Sequence, residues 1–139
     1  MAAPVLVTGA VGRVGGIGRT VTELLLKQGK AVRAMERKED EHAQALRDMG
    51  AEVVVGNLLD LEAMHRVIVG CEMMYFSMSV SAGYLEATVT MAAVARERGV
   101  NALVNMSQRT VSQMSIQNTS PSPQQRQHWL STNVCLIHQ

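Results

Sequence analysis

The residues of this chain best suited to chemistry lie between Val5 and Arg19. Glycines stand there at positions 9, 12, 15, 16 and 18. The apolar run Val5-Leu-Val7 leads into them, and from Thr20 the pattern Val21, Leu24, Leu25 resumes on one helical face. A glycine lacks Cβ, so its backbone can take positive φ and let an anion come close. The free N–H groups at the start of the following helix point at that anion, and the helix dipole adds to the attraction. The chemistry implied is phosphate binding by backbone. Gly9, Gly12 and Gly15 follow one another at three-residue steps rather than in the Gly-x-Gly-x-x-Gly spacing of dehydrogenases. Either Gly15 or Gly18 could be the glycine that lets the helix pack closely on the strand.

A second group of residues follows the next apolar run. Glu36-Arg-Lys-Glu-Asp-Glu41 comes directly after Ala31–Met35. In a strand–glycine turn–helix unit of this kind, the end of the second strand is where an adenosine ribose sits. An acid there binds a free 2′-hydroxyl, and basic groups accommodate a 2′-phosphate. Arg37 and Lys38 favour the phosphate, since a guanidinium fork matches it and an ammonium adds point charge. NADP is therefore the expected cofactor, with NAD as the alternative that Glu36 keeps open. Asn57 could hydrogen-bond an adenine edge, or simply build a turn. Ser77 and Ser79 stand at the carboxyl end of a further apolar run, where ligands bind in open α/β sheets.

The elements that must position these groups alternate along the chain. Strands are expected at Val5–Val7, 31–35, 51–55, within 71–79 (with 73–76 as its apolar part) and 102–106. Helices are expected from Thr20 to a cap at Gly29, over about 39–49, from Asp60 to Gly70, and over about 84–98. Such alternation implies parallel β-α-β units with right-handed crossovers, hence an α/β, Rossmann-like, doubly wound sheet with helices on both faces. Residues 1–139 read as one domain. Residues 108–127, rich in Gln, Ser, Thr, Asn and Pro, read as a long polar loop leading into a short helix near 123–130. Val134-Cys-Leu-Ile137 reads as a sixth strand or a frayed end.

Composition narrows the classes. Hydrophobic residues make up 47% of the 139 and aromatics only 3%, which suits layered α/β packing. A net charge of +1 gives no electrostatic reason to expect nucleic acid or a membrane as partner. Cys71 and Cys135 show no metal spacing, and no apolar stretch has the length of a membrane span. With no basic leader evident, a cytoplasmic location is expected. No metal ligand set and no Ser–His–acid arrangement assembles around Ser107 or the histidines.

Thr8-Gly-Ala-Val-Gly-Arg-Val-Gly15, Arg37, the Gly56-Asn-Leu-Leu-Asp60 turn and Asn105-Met-Ser107 together resemble the NmrA-like family, atypical members of the short-chain dehydrogenase/reductase superfamily. The resemblance extends to about Leu130, and the segment from Val104 to Trp129 points to that branch. It implies a Rossmann domain binding NADP or NAD, in proteins that are reductases or redox sensors. By position, Thr8, Gly9, Gly12, Arg13, Val14 and Gly15 would follow the pyrophosphate. Arg37 and Lys38 would meet the 2′-phosphate, with Asn57 and Leu58 at the adenine. Ser77 and Met78 would approach the ribose, and Asn105 to Ser107 the nicotinamide.

The superfamily's catalytic Tyr-x-x-x-Lys pair has Gln124 and His128 at the equivalent spacing. A glutamine is no general acid, and a lone histidine in a glutamine-rich helix is expected at the surface. No catalytic residue is therefore assigned. The family's substrate region has no counterpart in this sequence, which raises the expectation of a truncated chain with an unpaired edge strand and a homodimer or protein partner upon it. A sensor-like dinucleotide-binding module is the leading expectation. The alternatives are direct hydride transfer from NADPH to a quinone-like or azo acceptor, and a fragment without function.

Overall fold

The computed structural model describes residues 2–10 and 16–136, with side chains described as far as Asn133. In chain order the elements are β1 (Val5–Thr8), α1 (Ile17–Lys27), β2 (Val32–Glu36), α2 (Glu41–Asp48), β3 (Glu52–Val55), α3 (Leu61–Val67), β4 (Met73–Phe76), α4 (Tyr84–Glu97), β5 (Ala102–Asn105), a 3-10 turn (Arg109–Gln113) and α5 (Pro123–Leu136).

The five strands form one sheet in the order β3-β2-β1-β4-β5, and every neighbouring pair is parallel. This is the expected doubly wound, Rossmann-like architecture. The chain builds outward from β1 through β2 to β3, then crosses back to place β4 on the other side of β1. A crevice opens outside the carboxyl ends of β1 and β4, where the winding reverses.

The pleat sorts the core into two layers. Val5 and Val7 of β1 pack with Ala34, Leu46 and Tyr75, against which Val21 and Leu25 of α1 also lie. Leu6 between them faces the other way, into Met35, Met64, Ile68, Phe76, Tyr84 and Met91. Thus α1 and α2 cover one face and α3 and α4 the other. All four residues of β1 are buried, as a strand covered on both faces must be. The edge strand β5 differs, with Val104 59% exposed and Leu103 37%.

Two segments depart from the sequence reading. The first is α1, which begins at Ile17 rather than Thr20 and so takes Gly18 into its first turn. The second is the carboxyl-terminal region, where α5 extends over Pro123–Leu136. Residues 134–136 are therefore helical and not a sixth strand, and Ile137 lies outside the described residues. The polar segment before α5 is interrupted by the 3-10 turn. No helix among the described residues is long and apolar enough to cross a membrane.

Helix α5 is held by specific contacts with α4. Gln127 Oε1 accepts the backbone N–H of Leu85 at 3.0 Å, supplying a cap that Gly83 cannot provide. The His128 ring stacks on Tyr84, with centroids 3.5 Å apart and planes inclined by 21°. His128 is only 2% exposed, and neither ring nitrogen has a hydrogen-bond partner among the described residues. The expectation of a surface histidine is thus corrected. Its sequence neighbours are polar, but the packing of α5 on α4 buries this position.

Burial holds the His128 pKa below its ordinary 6.5, because a cation there would lose its hydration. The folded state thus binds fewer protons than the unfolded chain just below that value, so acidification destabilises it. Stability from this group is complete above about pH 6.5 and falls as the pH drops toward the folded-state value. A His128→Phe variant keeps a stacking ring without the titration. Its melting temperature is expected to fall less than the wild type's between pH 7 and pH 5. Parallel curves in a thermal melt series would contradict this account.

Candidate functional site

The site begins with the junction of β1, β4 and α1. The Thr8 hydroxyl donates to the carbonyl oxygen of Ser77 and accepts the Ser77 N–H, both at 3.0 Å. Thr8 is therefore a strut that ties the end of β1 to the chain leaving β4. Gly9 follows at φ +69°. A Cβ built there would lie 2.8 Å from the Ser77 carbonyl oxygen and 2.9 Å from its Oγ. Only glycine combines that backbone conformation with that approach.

Gly18 closes the other side. A Cβ on Gly18 would stand 2.2 Å from the Gly9 carbonyl oxygen and 3.1 Å from the Ala10 Cα. Among the described glycines it is the one that seats the helix on the end of β1. Gly12, Arg13, Val14 and Gly15 lie outside the described residues. Of the two glycines expected to let the helix pack closely, Gly18 makes such a backbone contact.

The start of α1 is also electrically open. Gly16 at its N-cap gives no side-chain hydrogen bond, and the first turn holds no acidic residue. By contrast, Asp40 accepts the N–H groups of His42 and Ala43 at the start of α2, and Asp60 accepts that of Ala63 at α3. Among the described residues no side chain caps the start of α1, so its positive dipole end is left uncompensated at the crevice. Such an arrangement fits a pyrophosphate.

Beside this turn lies an open cleft of about 690 Å³, lined by residues that include Ala10, Arg19, Arg37, Lys38, Leu46 and Ser79. Arg37 and Lys38 follow β2 directly, as expected from sequence. Arg19 reaches the same cleft from the first turn of α1, and it pairs with Glu23 at 3.0 Å. Arg19 had no assigned role in the sequence reading, although a basic residue directly after the glycine run was a usable signal. Asp40 and His42 line the cleft as well, but Asp40 is engaged by the N–H groups that begin α2, and the three cations suit a phosphate monoester.

The other sequence candidates take up supporting places. Asn57 Oδ1 accepts the N–H of Leu59 at 3.0 Å, so this side chain builds its own turn. Leu58 and Met78 pack against the α3–α4 core. Ser107 Oγ lies 3.4 Å from Thr132 Oγ1, linking the end of β5 to α5. Gln124 Oε1 accepts the Ser122 hydroxyl, and His128 is stacked inside the α4–α5 interface. The helix that would carry a tyrosine–lysine pair therefore offers no equivalent of it at these two positions.

A family model described as NAD(P)H-binding matches residues 12–133. The chain belongs to this NAD(P)H-binding family. Among characterised proteins similar to it is the 4-hydroxy-2-methyl-3-oxo-4-farnesyl-3,4-dihydroquinoline-1-oxide ketoreductase of Stigmatella aurantiaca. That enzyme is 29% identical over an alignment of 114 positions, which covers 75% of this chain and 34% of the ketoreductase. Similar solved structures include the NADPH-dependent quinone oxidoreductase of Escherichia coli complexed with NADPH. Its TM-score is 0.75 at 25% identity, over 96% of this chain and 44% of that one. The triphenylmethane reductase of Citrobacter sp. complexed with NADP(H) gives a TM-score of 0.74 at 23% identity, over 96% and 45%. The chain thus spans a third to a half of the length of these relatives.

In this NAD(P)H-binding chain the backbone contact at Gly18 is the least forgiving feature of the described site. A methyl group there meets backbone, which cannot rotate away. Gly18→Ala is expected to destabilise the domain by about 2 kcal/mol or more, seen as a lower midpoint in urea unfolding. Gly29→Ala serves as a comparison, since φ is +73° there but the Cβ would meet nothing within 4 Å. It should cost about 1 kcal/mol. A Gly18→Ala protein as stable as wild type would show that α1 is not seated as described.

Proposed function

We propose that this chain is an NmrA-like, sensor-type module that binds NADP(H) at the carboxyl edge of its sheet. The observation that carries this reading is the joining of Arg19, Arg37 and Lys38 around one cleft beside the open end of α1. The pyrophosphate would lie over the turn from Gly9 through Gly12, Arg13, Val14 and Gly15. The adenosine 2′-phosphate would enter the cleft, with Asn57 and Leu58 toward the adenine. Ser77 and Met78 would border the ribose, and Ser107 the nicotinamide. When bound, the nicotinamide would supply a hydride. The chain's own contribution is to bind and orient it.

The sensor reading is favoured by α5, where Gln124 and His128 offer no proton donor to the site. A protein partner or second copy that reads the bound state would meet the open edge of β5, where Leu103 and Val104 are exposed. A cytoplasmic setting belongs to the same reading. The second reading is reduction of a quinone-like or azo acceptor by direct hydride transfer. It is favoured by the relatives, whose names describe reductases of ketone, quinone and triphenylmethane compounds. Hydride transfer depends chiefly on orientation, so it does not require the tyrosine.

Calorimetric titration with NADPH and with NADH tests the binding. NADPH should bind more tightly, and Arg37→Ala or Arg19→Ala should each weaken it by about tenfold or more while leaving NADH nearly unchanged. Equal affinities for the two dinucleotides would overturn the 2′-phosphate assignment. Steady NADPH consumption in the presence of a simple quinone would favour the reductase reading over the sensor.

A further inference from the structure

The sheet ends at β5 on a strand whose one neighbour is β4. Beyond its last residue, the Met106 N–H donates to the Phe76 carbonyl oxygen at 2.8 Å, and Phe76 stands opposite Asn105 in the register. Backbone groups point alternately to the two sides of a strand. Residues 102, 104 and 106 therefore bond toward β4, while Leu103 and Asn105 turn their N–H and C=O groups outward. Among the described residues nothing returns to take these groups. The 3-10 turn that follows packs on α5, and α5 packs on α4.

Proteins guard such edges with charges, prolines or bulges. The segment Val100-Asn-Ala-Leu-Val-Asn-Met106 holds neither a charge nor a proline. The opposite edge of the sheet differs, because β3 opens on Glu52, whose carboxylate pairs with Arg33 at 2.9 Å. Side chains sharpen the contrast. Asn105 faces α4, where its Oδ1 takes the Tyr84 hydroxyl, so Leu103 faces that side and Val104 the other. Val104 and Met106 are exposed there, with Met73 of β4 exposed beside them.

We propose that β5 pairs with β5 of a second copy, antiparallel about a two-fold axis at Val104. In that register Leu103 of each copy and Asn105 of the other exchange both backbone bonds, so every outward group of the strand finds a partner. The two Val104 side chains meet in the closely spaced pair between them, apolar against apolar. Other registers do less. A two-residue slip one way sets Asn105 against Asn101, whose N–H is already given to Glu72. The opposite slip sets Leu103 against Ser107, beyond the end of the strand. The pairing is isologous, so it closes at two copies. It takes up the open edge in the reading above, and its test needs no nucleotide, so its outcome and that of the titrations are independent.

Sedimentation velocity of the full chain over about 1–200 μM tests it. The wild type should pass from monomer to dimer with a Kd on the order of 10 μM, as befits a short interface, and go no further. Since no charge meets across the axis, that constant should change less than about twofold between low and high salt. Val104→Lys opposes two ammonium groups at the axis and should weaken the dimer by about tenfold or more. Leu103→Pro should do the same, because it removes an outward N–H and spares the bonds to β4. Thermal melts of both should stay cooperative, as both side chains are exposed. Val104→Ile should keep the dimer.

The register is read by Val104→Cys. Antiparallel partners at the axis lie close enough for a disulfide, so oxidation should link two copies of this variant well beyond the wild type. Leu24→Cys, exposed on α1, should not link. A wild type that stays monomeric, or association that runs past the dimer, would overturn the proposal. A dimer left intact by Val104→Lys and Leu103→Pro would also overturn it, as would a dimeric Val104→Cys protein that does not crosslink.

Discussion

Everything at the carboxyl edge of the sheet depends on how closely three pieces of backbone approach one another. The chain leaving β1 touches the chain leaving β4 at Gly9 and Ser77, and the first turn of α1 touches Gly9 at Gly18. Each contact is closer than a Cβ would permit. Thr8 locks the arrangement, since its hydroxyl both gives and takes a hydrogen bond across the same junction. The direction of α1 follows from this packing, and with it the line along which the helix dipole and its free N–H groups point. Side chains matter less here than the absence of two of them.

Under the proposed reading, recognition of a dinucleotide would be divided between backbone and side chains. The bridging phosphates would be met by the start of α1, whose fixed partial charge need not reorganise. The helices nearby show that this openness is particular to α1, because Asp40 and Asp60 satisfy the corresponding groups of α2 and α3. In the proposed binding mode, discrimination at the adenosine end would fall instead to charged side chains after β2. Arg37, Lys38 and Arg19 bring positive charge to one cleft from two parts of the chain.

Much of this was legible in the sequence because the signals were local. Val5–Thr8 reads as a buried strand since a parallel strand covered on both faces must be apolar throughout, and the β-α alternation then dictates the sheet. The start of α1 was misread because Gly16-Ile-Gly18 has poor helix propensity. Its helical state comes from close packing on β1, a tertiary contact that no local pattern reveals. Val134-Cys-Leu-Ile137 suggested a sixth strand or a frayed end because short apolar runs look alike in strands and helices. The position of Arg19 in the cleft, and the burial of His128, depend on which helix lies over which residue. Asn57 was legible as a turn former, and its side chain performs that role.

The carboxyl-terminal helix bears on what chemistry the edge can support. In α5, Gln127 caps α4 and His128 stacks on Tyr84, so these two polar side chains are committed to holding the helices together. Tyr84 itself is fully buried, and its hydroxyl donates to Asn105 Oδ1 at 3.3 Å, which steadies the end of β5. Burial favours the uncharged form of His128, so it is a poor source of protons at neutral pH. A reaction that needs a general acid from this helix has no donor at Gln124 or His128. One that needs only a positioned hydride, or none at all, asks of the chain what its glycines and cations already supply. This asymmetry, a close-packed β1–α1 junction beside a helix devoted to packing, is what supports the proposed reading of binding and orientation as the chain's own contribution.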